Sequence, residues 1–173
     1  MSEFVSFDPR VEVASEVLLA WIAGTEGKVV PYLEARGIAD VQPGQWYGLQ
    51  TALDGLHDFS QVTSLFNAGM LIPQHAAFPP GIDDIWSAFK LLNEAYHMNH
   101  RYGEIGFYKM VQVDDHTIDM ICQNPYPCEF DFGLVFCLAH RFAPNDEQVE
   151  VIHDKQGSCR KRGGDYCTYR VKF

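Results

Sequence analysis

The stretch GEIGFYKMVQVDDHTIDMIC, residues 103–122, decides the fold. Gly103 and Gly106 interrupt the helical pattern that precedes them. Residues 107–113 then alternate as a strand, Asp114-Asp115 supplies a tight turn, and residues 116–122 return as a second strand. An antiparallel hairpin therefore begins where the helical half of the chain ends.

Upstream, the pattern is helical. Ile85, Trp86, Phe89, Leu92 and Tyr96 form an apolar stripe over residues 83–99, with Asp83 and Asp84 placed to cap it. Asp8-Pro9 opens an earlier helix carrying Val13, Val17, Leu18 and Trp21, which Gly24 can end. Further helices are expected over residues 28–35, over residues 46–57, and around Val62, Leu65, Phe66 and Met70. The segment PQHAAFPPG, residues 73–81, is a Pro-broken loop. Downstream, NPYPCEFDFG (124–133) leads into a helix over residues 130–142, which residues 144–146 end. Strands follow over residues 148–153 and 166–173, joined by the turn-rich KQGSCRKRGGDYC, residues 155–167. The expected fold class is α+β. N-terminal helices (1–100) pack on a roughly four-stranded antiparallel sheet (104–173) within one domain spanning 1–173.

Composition bounds the partners. A formal net charge of −10 disfavours nucleic acid and anionic membrane surfaces, both of which need concentrated cations. The run Arg160-Lys161-Arg162 reads as a solvated turn. The N-terminus shows no apolar signal segment and no stretch has the length of a membrane span, so a cytoplasmic location is expected. Thiols stay reduced there, and all five cysteines lie after residue 121. That clustering points to metal or redox chemistry before disulfides.

Cys159 and Cys167 flank a turn containing Gly163 and Gly164, which lets two thiolates converge on one ion. His153 stands just upstream, and Cys128 lies at a helix entrance, where the helix end favours a thiolate. Together these residues give a tetrahedral Cys3His set suited to zinc. Ordinary buried thiols and a Cys159–Cys167 disulfide are the competing readings. Cys122 and Cys137 read as packing residues, although Cys122 remains an alternative to Cys128 as fourth ligand.

NPYPCEFDFGLVFCLAHRF, followed by HDKQGSCRKRGGDYCTYRV, resembles the 4-vinyl reductase domain group over about residues 104–173. That group shares the haem-NO-binding-like and Golgi-transport ligand-binding fold. The same segments are similar to the sensor domain of phenol-responsive bacterial regulators. The resemblance implies a structural zinc on Cys128, His153, Cys159 and Cys167, a small apolar ligand or a partner protein, and a homodimer made through the N-terminal helices.

No G-x-S-x-G elbow, phosphate loop or dinucleotide fingerprint occurs, and a four-ligand metal leaves no open position, so the reading leans away from an enzyme. Trp86, Phe89, Tyr96, Phe107, Tyr108 and Met110 are candidates to line an apolar pocket for a small hydrophobic or aromatic ligand, or else simply to fill the core. Output from such a sensor would pass through a signalling partner. His97 and His100 are candidate haem ligands in an alternative gas- or redox-sensor reading. The Tyr-x-Ser-x-Arg pattern that holds haem propionates in that family is absent, and the simpler reading is that one imidazole caps the helix end. A third reading is an interaction scaffold without a ligand.

Overall fold

The computed structural model describes residues 3–144 and 149–173. Its architecture is α+β, with helices packed against antiparallel sheets. The larger sheet is built from β4 (Phe107–Asp114), β5 (Thr117–Gln123), β6 (Glu150–His153) and β7 (Cys167–Lys172), in the order β4-β5-β7-β6. All its pairings are antiparallel, and Cys122 lies opposite both Tyr108 and Cys167. The expected hairpin and final strand are thus in place. Residues 145–148, where the last helix was expected to end and β6 to begin, lie outside the described residues.

The N-terminal half differs from the expectation in more than one respect: residues 73–75, expected as the start of a loop, are helical because proline is tolerated in a first helical turn. A second, three-stranded sheet joins β1 (Glu12–Ala14), β2 (Trp46–Gly48) and β3 (His100–Arg101) in the order β2-β1-β3. Asp8 therefore does not start a helix. Its carboxylate accepts from the Arg10 backbone and guanidinium, closing a turn before β1. The first helix, α1 (Ser15–Gly24), begins only after that strand. Residues 46–48 are likewise strand, and the helix expected there is α3 (Leu49–Ser60). Short strands of two or three residues are set by distant partners, here Val13 against both Tyr47 and His100, so local periodicity does not reveal them.

The remaining helices are α2 (Val30–Ala35), α4 (Phe66–Met70), α5 (Ile72–His75), α6 (Ile85–Met98) and α7 (Cys128–Phe142). Asp84 and Ser87 form a reciprocal capping box at the start of α6. α7 is central, packing on α4, α5 and α6 and on the β6–β7 side of the larger sheet. It crosses α4 at van der Waals distance through two glycines. A methyl on Gly133 would lie 2.0 Å from the Phe66 carbonyl, and one on Gly69 would lie 1.9 Å from that of Phe130. Trp21, fully buried, meets Tyr126 and Phe130 edge-on, which ties α1 to α7.

Candidate metal centre

α7 starts at Cys128, β6 ends at His153, and β7 begins at Cys167. Cys159 precedes a 3-10 turn, Arg160–Arg162, closed by Gly163 in the left-handed region at φ 81°. The Cys159 carbonyl accepts from the Arg162 and Gly164 amides, which fold the loop back on itself. Gly164 leaves no room for a side chain, because a methyl there would lie 2.7 Å from the Cys159 nitrogen. This turn returns Cys167 beside Cys159.

The result is a cluster in which one donor atom from each of Cys128, His153, Cys159 and Cys167 lies within 4.8 Å of the others. The Cys128 sulfur stands 3.1 Å from that of Cys167 and 3.6 Å from that of Cys159. All three thiols are buried. His153 stacks on Tyr169 at 4.7 Å, and its Nε2 is buried with no hydrogen-bond partner among the described residues. Buried polar atoms are normally paired, and the thiol sulfurs of the cluster are the polar groups nearest to this imidazole. Cys122, across the strands from Cys167, is not among the converging donors, its sulfur lying 3.9 Å from the Met120 carbonyl, and Cys137 is half-buried on α7.

The surroundings favour a thiolate. Hydrogen bonding from Cys128 and His153, with the Arg160 charge, holds the Cys167 thiol well below its usual range, against the opposing effect of burial. The Arg160 amide also donates to its sulfur at 3.4 Å. Cys128 moves the other way. Its contact with Cys167, burial and the Glu3 carboxylate all push its thiol up. The two sulfurs are therefore coupled, with the negative charge favoured on the Cys167 side.

A neighbouring feature was misread in the sequence. Arg160 is not a solvated turn residue: its side chain is fully buried and forms an ion pair with Asp131 of α7, itself fully buried. Arg160 also donates to the Asn124 carbonyl and side chain, while Tyr108 donates to Asp131 at 2.6 Å and Asn124 does so at 3.1 Å. Asp131 stands one helical turn after Cys128, and Arg160 follows Cys159, so the pair bolts together the two elements that carry those thiols. The helical spacing of Cys128 and Asp131 was the available signal.

The six candidate pocket residues do not line one cavity. Trp86, Phe107, Tyr108 and Met110 border an open groove of about 960 Å³ between α6 and β4. Tyr96 and Tyr108 border a second, narrow cavity of only about 30 Å³, shared with His100, Asn99, Tyr126 and Phe130. Phe89 is core. His97 is exposed, and His100 is buried in β3. Each rests its Nδ1 against the carbonyl four residues earlier, Asn93 for His97 and Tyr96 for His100, both at 2.8 Å. The Nε2 of His100 is 2.6 Å from the Tyr126 hydroxyl. Burial drives the His100 pKa down to about 4, so the ring is neutral at physiological pH.

No family model matches the sequence, and no curated protein matches it. Solved structures do. An H-NOX protein from Shewanella oneidensis in the Fe(II)NO ligation state superposes with a TM-score of 0.67 at 15% identity, over 92% of this chain and 98% of that one. The F78L variant of Tt H-NOX gives 0.63 at 16% identity, over 92% and 94%. A protein solved in work on heme redox potential and porphyrin distortion gives 0.58 at 14% identity, over 92% and 99%. These comparisons support the haem-NO-binding side of the resemblance and give no support to its 4-vinyl reductase or phenol-regulator side. At such identities the likeness is one of fold: this chain has an H-NOX-like fold.

Proposed function

We propose that the protein is a non-enzymatic sensor-type domain on the H-NOX-like fold, with a structural zinc ion held by Cys128, His153, Cys159 and Cys167. The observation that carries this reading is the convergence of the four donor atoms within 4.8 Å, with His153 Nε2 otherwise unpartnered. Three thiolates and an imidazole suit zinc, and four protein ligands complete a tetrahedral shell with no position open for substrate. The ion would fasten the start of α7 to β6 and to the loop before β7, so binding it would be part of the folding free energy. The groove between α6 and β4, floored by Trp86, Phe107 and Met110, is the face for a small hydrophobic or aromatic ligand. Output would pass through a partner protein or a second copy of the chain. No helix among the described residues is long and apolar enough to cross a membrane.

Haem binding is the second reading, and the comparisons by themselves favour it over zinc, since the structures named above are H-NOX and haem proteins. The test of fit lies in the narrow cavity beside His100. Small-molecule pockets occupy roughly 300–1,000 Å³; this cavity offers about 30 Å³. Both nitrogens of His100 are engaged, by the Tyr96 carbonyl and the Tyr126 hydroxyl. With these side chains in place the site does not accommodate a porphyrin. Haem would require Tyr96, Tyr126 and His100 to move apart together.

One experiment separates the readings. Protein purified without added metal is assayed for zinc and scanned in the visible. About one zinc per chain without a Soret band supports the first reading. A Soret band that is lost in His100→Gln supports the second. Neither metal nor chromophore would leave the scaffold reading.

A further inference from the structure

Helix α7 has no cap from its own flank, because its N-cap residue is Pro127. The cap comes from the other end of the chain. The Glu3 carboxylate accepts the Cys128 amide proton at 2.6 Å, across 125 residues of sequence. The segment that carries Glu3 is itself clamped. The Phe4 amide donates to the Pro125 carbonyl at 2.7 Å. Gln50 grips the same arm twice, donating to the Phe4 carbonyl at 3.0 Å and accepting from the Ser6 amide at 2.8 Å. The Phe4 ring packs edge-on against His57 at 4.9 Å. Phe4 holds a positive φ of 64°, a conformation that costs a bulky residue energy and persists only where contacts fix it.

The arm stands at the metal centre. Glu3 and Phe4 form one wall of a surface cleft of about 500 Å³ that reaches Cys128 beside Arg160, Lys161 and Gly163. A second cleft reaches Cys128 and Cys159 from the His153 side. The Glu3 carboxylate is not one of the four converging donors. Its carboxylate also faces the Cys128 thiol, but its hydrogen bond is to the backbone: fixing that amide fixes the first turn of α7, and with it the direction of the sulfur. On the opposite flank the Tyr169 hydroxyl donates to the Cys128 carbonyl at 2.7 Å. Cys128 is therefore held on both sides of its own peptide, by groups from β7 and from the N-terminal arm.

We propose that Glu3 is a positioning residue of the metal centre, holding Cys128 against the Cys159–Cys167 loop and slowing exchange of the bound ion. The inference rests on the zinc reading above. A metal leaves a four-ligand site by losing one ligand first. Of the three cysteines, Cys128 alone lies at the end of a helix rather than within the Cys159–Cys167 turn, so it is the ligand whose departure opens the site. The Glu3 clamp opposes that step.

The test is the rate at which excess pyridylazoresorcinol draws zinc from the intact, zinc-loaded chain. Glu3→Ala should release zinc at least roughly tenfold faster than the parent protein, the scale of a lost charge-assisted hydrogen bond. Glu3→Gln keeps a neutral acceptor for the Cys128 amide and should release zinc clearly more slowly than Glu3→Ala, a partial rescue that a general loss of stability would not show. Gln50→Ala frees the arm without touching Cys128 and should also speed release, which keeps the test alive if Glu3→Ala fails to load. Parent-like rates in both Glu3→Ala and Gln50→Ala would overturn the proposal, as would Glu3→Gln releasing as fast as Glu3→Ala. A parent protein that takes up no zinc would instead sink the metal reading.

Discussion

Replacing Arg160 with Met should strongly destabilise this protein. The guanidinium and the Asp131 carboxylate are both fully buried. Burial pushes the Asp131 carboxyl above its usual range, and Arg160, Tyr108 and Asn124 pull it back. For Arg160 burial works against the charge, but the Asp131 carboxylate overrides it and the group stays firmly cationic. Removing one partner leaves the other as a buried, half-satisfied group, at a cost of about 3–5 kcal/mol. For a chain of this size that corresponds to a fall in Tm of about 6–20 °C. The assay is thermal unfolding by circular dichroism at saturating zinc, with zinc content measured alongside. Arg160→Met paired with Asp131→Leu should recover part of the loss, because no orphan charge remains. A loss below about 1 kcal/mol, the worth of a solvent-exposed pair, would refute the buried arrangement and return Arg160 to the surface.

Gly133→Ala should cost about 1–3 kcal/mol by overpacking, since its methyl would meet the Phe66 carbonyl at 2.0 Å where α4 crosses α7; chemical denaturation would show it as a lowered midpoint. Cys122→Ala should keep its zinc while Cys128→Ala loses it, because only the latter sulfur belongs to the cluster; metal analysis of the two purified variants decides the point. His100 should give a pH dependence of defined sign. Its folded pKa of about 4 lies below the ordinary 6.5, so as pH falls through that window the unfolded chain gains a proton that the folded chain refuses. Stability should drop by up to about 3 kcal/mol relative to His100→Gln, whose profile lacks that contribution; equal slopes in the two proteins would contradict the buried neutral ring.

The features legible in the sequence were those set by local chemistry. The Asp84 cap, the turn at Asp114 and the strand over residues 107–113 each follow from neighbouring residues, and each stands in the structure. So does the return of Cys167 beside Cys159, which needs only the glycines between them. What the sequence hid depends on distant partners. The strand Trp46–Gly48 reads as helix because Leu49, Leu53 and Leu56 continue at helical spacing, and only pairing with β1 makes it extended. Arg160 reads as solvated beside Lys161 and Arg162 because nothing local shows that Asp131 awaits it inside. The division of the candidate pocket residues between a groove and the core was hidden for a related reason. An aromatic stripe gives no measure of how tightly it packs, and Tyr96, His100 and Tyr126 pack almost without a void. Glu3 carried no signal, since a cap supplied across 125 residues has no motif.

The central claim is a zinc ion in a Cys3His shell, and X-ray absorption at the zinc edge on protein purified without added metal tests it most directly. The account predicts about three sulfurs near 2.3 Å and one nitrogen near 2.0–2.1 Å, with the nitrogen contribution lost in His153→Ala. A shell of oxygen and nitrogen donors without sulfur, or iron in place of zinc with a Soret band, would contradict it.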